Sequence, residues 1–213
     1  MNHIFDFFFG QYGEYELIDI VLEITAVIFG FLSVWFSKQN KIWVFPTGMI
    51  STAIYVYLLV KWELLGDMMI NAYYFIMSVY GWYIWTRKID HTHVTPITET
   101  TKKEKQLSVG IFVLTLIFVY LVYASFDKWN GWVAYIDTVT TAIFFVGMWL
   151  MARRKIENWI YWIIGDLISI PLYFYKGFTF TSLQYLGFTI IAIYGYLAWK
   201  KSLNKSISLT QTV

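Results

Sequence analysis

Residues Lys155 to Lys176, KIENWIYWIIGDLISIPLYFYK, decide how this chain is read. The stretch is helix-length and almost wholly apolar, yet it carries Trp159, Trp162 and Asp166 at helical spacing. Residues three and four apart share a helix face, so Trp162, Asp166, Ser169 and Tyr173 form one stripe: an indole, a carboxylate, a hydroxyl and a phenol. A helix of this composition is expected to lie in lipid. An Asp there costs about 2.5–3.5 kcal/mol on insertion scales and is seldom present without a partner or a ligand.

The rest of the chain agrees with that environment. It is 58% hydrophobic and 22% aromatic against 14% charged, too apolar for the surface of a soluble domain, and is read as an all-α polytopic membrane protein. A hydrocarbon core about 30 Å thick needs about 20 helical residues. Seven stretches qualify: Leu17 to Phe36, Ile42 to Val60, Asp67 to Trp85, Leu107 to Ser125, Ala134 to Met151, Glu157 to Tyr175 and Thr181 to Trp199. The first sixteen residues lack a basic n-region and a small-residue cleavage site, so the first span is expected to act as its own insertion signal. With no cysteine there is no disulfide framework and no thiolate nucleophile.

Lys and Arg are distributed unevenly over the loops. With the N-terminus outside, thirteen of the sixteen fall on the inner side and only Lys61, Lys128 and Lys176 on the outer. Orientation follows the Lys/Arg excess of short cytoplasmic loops, which predicts N-outside, C-inside and an odd number of spans. Basic clusters that coincide with the inner face at every step are read as topological signals, with no nucleic-acid partner implied.

The two ends of the chain repeat a pattern. Glu23 precedes Trp35 by twelve residues and Asp137 precedes Trp149 by twelve; each tryptophan is followed by a basic turn and another tryptophan, Trp43 or Trp159. The third helices end alike, YGWYIW at Tyr80 to Trp85 and YGYLAW at Tyr194 to Trp199. The organisation predicted is an N-terminal extracytoplasmic segment (1–16), a first three-helix repeat (17–86), a cytoplasmic linker (87–106), a linking helix (107–126), a second three-helix repeat (127–200) and a cytoplasmic tail (201–213). Two parallel repeats joined by one linking helix, 3+1+3, are a transporter architecture with the site between the repeats near the midplane.

Polar residues inside the spans mark where that site is expected. Besides the sixth-span stripe, the third span offers Asp67, Asn71, Tyr74 and Ser78, the fifth Asp137 with Thr140 and Thr141, the seventh Gln184, and the first Asp19 and Glu23. No Lys, Arg or His lies within a span to pair with Asp166, so an acidic pocket of this kind wants a cationic guest. The candidate binding residues are Trp159, Trp162, Asp166, Tyr173, Asn71, Tyr74, Asp137, Thr141 and Gln184. Trp85, Trp129 and Trp199, near span ends, are expected in the interfacial aromatic belt. Pro46 and Pro171 are expected to bend the second and sixth helices, as tolerated kinks or as hinges.

Catalysis is not indicated. His3, His91 and His93 all lie outside the spans, so no Ser/His/Asp set or membrane zinc centre can be assembled there; His91 and His93 alone are a weak metal signal. No metal and no cofactor are expected. A non-transporting receptor or a channel is the rival class, and a receptor would be expected to carry a soluble output domain that the short loops do not provide.

The run ARRKIENWIYW at Ala152 to Trp162, the YGWYIW ending at Trp85 and Asp137 standing twenty-two residues before Trp159 resemble the PnuC-type nicotinamide riboside transporters over nearly the whole chain. The resemblance implies a seven-helix fold similar to the SWEET sugar transporters and a homotrimer. It further implies uptake by facilitated diffusion without a coupling ion, with a cytosolic kinase trapping the product by phosphorylation. The family's tryptophan-rich motif stacks on the substrate ring, a role that falls to Trp159 and Trp162. Where the family usually has Asn, this chain has Asp166, which favours a flat cation, nicotinamide riboside or thiamine, over neutral riboflavin.

Overall fold

The computed structural model describes residues 16–62, 65–90, 93–126, 129, 131–176 and 179–211; His3, His91 and Lys128 lie outside them. Seven long helices carry the described chain: α1 (Leu17–Lys38), α2 (Val44–Lys61), α3 (Leu65–Thr86), α4 (Lys102–Ser125), α5 (Gly131–Ala152), α6 (Asn158–Tyr175) and α7 (Thr179–Gln211). Between α3 and α4 lies a two-stranded antiparallel hairpin, β1 (Lys88–Asp90) and β2 (His93–Val94). Four of the described helices, α1, α2, α4 and α5, are long and apolar enough to cross a membrane by themselves. The other three, α3, α6 and α7, carry Asn71, Asp166 and Gln184, polar residues that a helix wrapped by its neighbours can accommodate.

Helices α1, α2 and α3 pack in succession, and so do α5, α6 and α7; across the two groups α1 meets α7 and α3 meets α5, while α4 lies chiefly against α5. The two groups are built alike. At the end of α1 the amide of Asn40 donates to the Ser37 carbonyl and that of Lys41 to Phe36; at the end of α5 the amide of Arg154 donates to Met151 and that of Lys155 to Leu150. These are Schellman turns, which satisfy last-turn carbonyls and require a left-handed residue. Asn40 (φ 56°) and Arg154 (φ 60°) supply it, and their positions differ by 114 residues. Asn tolerates that conformation readily. Arg154 is held in it by its side chain, which donates to Asn40 Oδ1 at 2.9 Å and to the Thr95 carbonyl, and lies 4.2 Å from the Trp85 ring. Burial lowers the Arg154 pKa to about 10, so the guanidinium stays charged at any working pH.

The same offset pairs Phe45 of α2 with Trp159 of α6, rather than Trp43, which is 59% exposed. Each ring lies where a Cβ on the third helix of its group would sit: Phe45 on Gly81, and Trp159 on Gly195, whose added Cβ would stand 2.6 Å from the indole. The recurrence supports the two-repeat reading of the sequence.

Two expectations are corrected. Trp85 and Trp199 are not belt residues. They are 3% and 1% exposed, pack in the core beside Phe45 and Trp159, and donate their indole N–H groups to the carbonyls of Met151 and Ser37. Pro46 falls in the first turn of α2, where its missing N–H interrupts no helical bond, so it starts that helix rather than bending it; Pro171 lies inside α6. The linker is tied to the α5–α6 turn from Thr98 onward. Thr98 pairs with Lys155, Glu157 accepts from the amide and hydroxyl of Thr100, and Glu104 takes Lys155 at 3.0 Å and Arg153 at 3.1 Å. Thr101 and Glu104 form a capping box that begins α4 at Lys102, before the apolar run at Leu107.

Candidate functional site

A cavity of about 230 Å³ lies between the two helix groups, with walls from α1, α2, α3, α5, α6 and α7. Its two sides differ chemically. The α1 and α2 side is rich in small and hydroxyl residues, Gly30, Ser33, Gly48, Ser51 and Thr52, alongside Val34, Val44 and Tyr55. The 114-residue offset makes Phe144 the counterpart of Gly30, Trp162 of Gly48 and Asp166 of Thr52. At these three positions α1 and α2 provide room and a hydroxyl where α5 and α6 provide rings and a carboxyl.

Two glycines set the aromatic side. A Cβ on Gly165 would collide with Phe144, and one on Gly147 would press on Tyr161 and Trp162, so their absence lets α5 and α6 approach closely. Phe144 then stacks near Trp162, centroids 5.5 Å apart at 29°, and near Tyr185 at 6.0 Å and 7°. Tyr74 closes toward Trp162 from α3, with centroids 6.3 Å apart. Behind it Tyr73 stacks on Phe145 at 3.9 Å and donates to the Phe145 carbonyl, fixing α3 against α5.

Asp166 is 2% exposed and is the only carboxylate on the described wall, which holds no Lys, Arg or His. Trp159 forms part of the floor, 1% exposed, with a buried Nε1 that has no hydrogen-bond partner among the described residues. A buried carboxyl and a buried indole N–H on residues that line a cavity are groups that a ligand can satisfy.

Of the residues singled out from the sequence, Trp159, Trp162, Asp166, Asn71, Tyr74 and Gln184 line this cavity. Tyr173, Asp137 and Thr141 do not. Asp137 is paired with Lys176 at 3.1 Å, Thr141 donates back to the Asp137 carbonyl, and Tyr173 stands beyond Tyr185, ring centroids 5.1 Å apart. Asp19, expected near the surface, is 2% exposed and paired with Lys61 at 2.8 Å, away from the wall. The α1–α2 wall and the rings of Phe144, Tyr185 and Phe188 were not singled out. The run Ala26, Gly30, Ser33, Ser37 at spacings of four, three and four is the sequence signal that marks the α1 part of that wall.

A sequence profile described as nicotinamide mononucleotide transporter matches residues 20–201. Nicotinamide riboside transporter PnuC of Escherichia coli is 24% identical over 89% of this chain and 88% of its own length; PnuC of Neisseria mucosa is 27% identical over 86% and 73%. Riboflavin/roseoflavin transporter RibM of Streptomyces davaonensis is 23% identical over 83% of each. The crystal structure of the vitamin B3 transporter PnuC superposes with a TM-score of 0.66 at 25% identity, covering 89% of this chain and 84% of that one. The chain therefore belongs to the nicotinamide mononucleotide transporter family and is a PnuC-type, multi-pass membrane transporter.

Proposed function

We propose that the protein carries nicotinamide riboside across a bacterial cytoplasmic membrane, down its gradient. The observation that supports this most is the composition of the cavity wall: Trp162 and its stacked neighbour Phe144 offer faces to a flat ring, and Asp166 is the single carboxylic acid on the described wall. A pyridinium held between them gains cation–π attraction, about 2 kcal/mol when desolvated, and offsets the carboxylate. Asn71, Gln184 and the hydroxyls of α1 and α2 suit the sugar and the amide. The volume is below the usual range of about 300–1,000 Å³ for ligand pockets, in keeping with a small nucleoside.

The family's name specifies the mononucleotide, and the cavity argues against that substrate here. A phosphate would enter beside Asp166 with no Lys, Arg or His on the described wall to meet it. The same argument explains retention: once a cytosolic kinase has phosphorylated the riboside, the product no longer fits the path by which it entered. Neutral riboflavin, the cargo in the name of one relative, makes no use of the Asp166 charge. Thiamine is the second reading, since it too is a flat cation. The proposed carrier sits with its N-terminus outside and its C-terminus inside, assembles as a trimer, and works by rocking of the two repeats about the cavity.

Counterflow tests the reading. Proteoliposomes loaded with unlabelled nicotinamide riboside, with no ATP and no ion gradient, are expected to accumulate labelled riboside transiently and to exclude the mononucleotide. Accumulation of labelled thiamine alone would replace the substrate. Dependence on a sodium or proton gradient would overturn the uniport mechanism.

A further inference from the structure

We propose that Trp85 and Trp199 are the inner gate of this carrier: a reciprocal latch that holds the cavity shut at the end formed by the α1–α2 and α5–α6 turns. The inference rests on the carrier reading but not on the identity of the substrate.

The two tryptophans occupy equivalent places near the ends of α3 and α7, and each reaches across to the other repeat. Trp85 Nε1 donates to the Met151 carbonyl of α5 at 3.3 Å, and Trp199 Nε1 donates to the Ser37 carbonyl of α1 at 2.9 Å. Both carbonyls belong to the last turn of their helix, where no amide four residues on completes the helical ladder, so each has capacity for a second donor beside the turn amide it already accepts. Met151 and Ser37 also line the cavity. The latch is therefore fastened to the cavity's own floor.

Aromatic rings fill the layer behind that floor. Trp85 and Trp199 lie 5.8 Å apart, Phe45 meets Trp85 edge-on at 5.0 Å, and Trp159 meets Trp199 edge-on at 5.6 Å. All four are at most 3% exposed. Beyond them Arg154 covers the Trp85 ring and bonds Asn40 of the other repeat. Separation of the repeats at this end must break both indole bonds and the Arg154–Asn40 bond together. Each bond joins one repeat to the other, so the set opens and closes as a unit and favours the closed state.

The absence of cysteine makes the test direct. A single Val34→Cys, on the cavity wall, is labelled with a small membrane-impermeant thiol reagent applied to either face of oriented vesicles. Adding Trp85→Phe with Trp199→Phe keeps the rings and removes both donors. Labelling from the face that carries the turns, the cytoplasmic face by the basic-residue distribution, is expected to rise about tenfold, with labelling from the opposite face unchanged. No rise, or an equal rise from both faces, overturns the gate. Asn40→Gly accepts the positive φ and removes the partner of Arg154 without touching a ring. It is expected to give a smaller rise on the same face, and absence of that rise counts against the gate even where the double variant fails to insert. Riboside binding by the unsubstituted protein, measured separately, distinguishes the two claims: one-sided labelling without binding removes the substrate and keeps the gate, whereas binding without a change in labelling removes the gate alone.

Discussion

Asp166 brings a carboxylate into a cavity whose described wall otherwise offers rings, hydroxyls and amides. Asp166→Asn keeps the shape and removes the charge, so it is expected to weaken nicotinamide riboside binding at least tenfold in calorimetry while leaving the thermal melt of the empty protein intact or improved. Equal affinity in the variant would mean that the charge does not meet the ligand. Both Asp166 and Trp162 were legible in the sequence because they share one helix face, and an unpaired acid in an apolar helix demands explanation. Asp137, Thr141 and Tyr173 are no less polar and follow similar spacing, yet they do not reach the wall. Periodicity says which residues share a face; it does not say how far along the helix the cavity extends, or that Lys176 from a different helix pairs with Asp137.

Among the elements, the glycines and the linker carry the sharpest expectations. Gly195→Ala puts a Cβ 2.6 Å from the Trp159 indole, in a packed layer with no slack, and is expected to cost about 1–3 kcal/mol by overpacking, read as a lowered melting temperature in detergent. Gly110→Ala, where the added Cβ meets nothing within 4 Å, is the matched control and is expected to raise or maintain stability. Glu104→Gln removes the partner of Lys155 and Arg153 and is expected to lower stability by about 1–3 kcal/mol, with the loss shrinking as Lys155→Met is added, because the orphaned cation is then gone. The seven helices were legible from hydropathy and length. Their ends were not: α4 starts five residues before the expected span because Thr101 and Glu104 cap it, and α7 continues to Gln211 through a stretch expected as a tail. Trp85 and Trp199 misled for a related reason. A tryptophan near a span end satisfies its N–H in the headgroup region or against a carbonyl of a neighbouring helix, and only the packing of α3 on α5 and α7 on α1 decides which.

At the scale of the whole molecule, one pattern of turns, glycines and wedged rings occurs twice, while the residues around the cavity have diverged between the copies. The recurrence was visible in the sequence at Glu23 and Asp137, Trp35 and Trp149, and the two YG endings. The division of labour was not, because Gly30 and Gly48 on one side become Phe144 and Trp162 on the other, and unlike residues do not announce their equivalence. On the proposed reading, that asymmetry gives a flat cation the α5–α6 rings to stack on and the α1–α2 hydroxyls to hydrogen-bond. The most direct test is calorimetric titration of nicotinamide riboside, thiamine and nicotinamide mononucleotide into the purified protein and its Trp162→Ala variant. Binding of the riboside, about thirtyfold weaker without the Trp162 ring and absent for the mononucleotide, is the predicted result. Binding of the mononucleotide as tight as that of the riboside, or riboside binding indifferent to Trp162, would contradict the account.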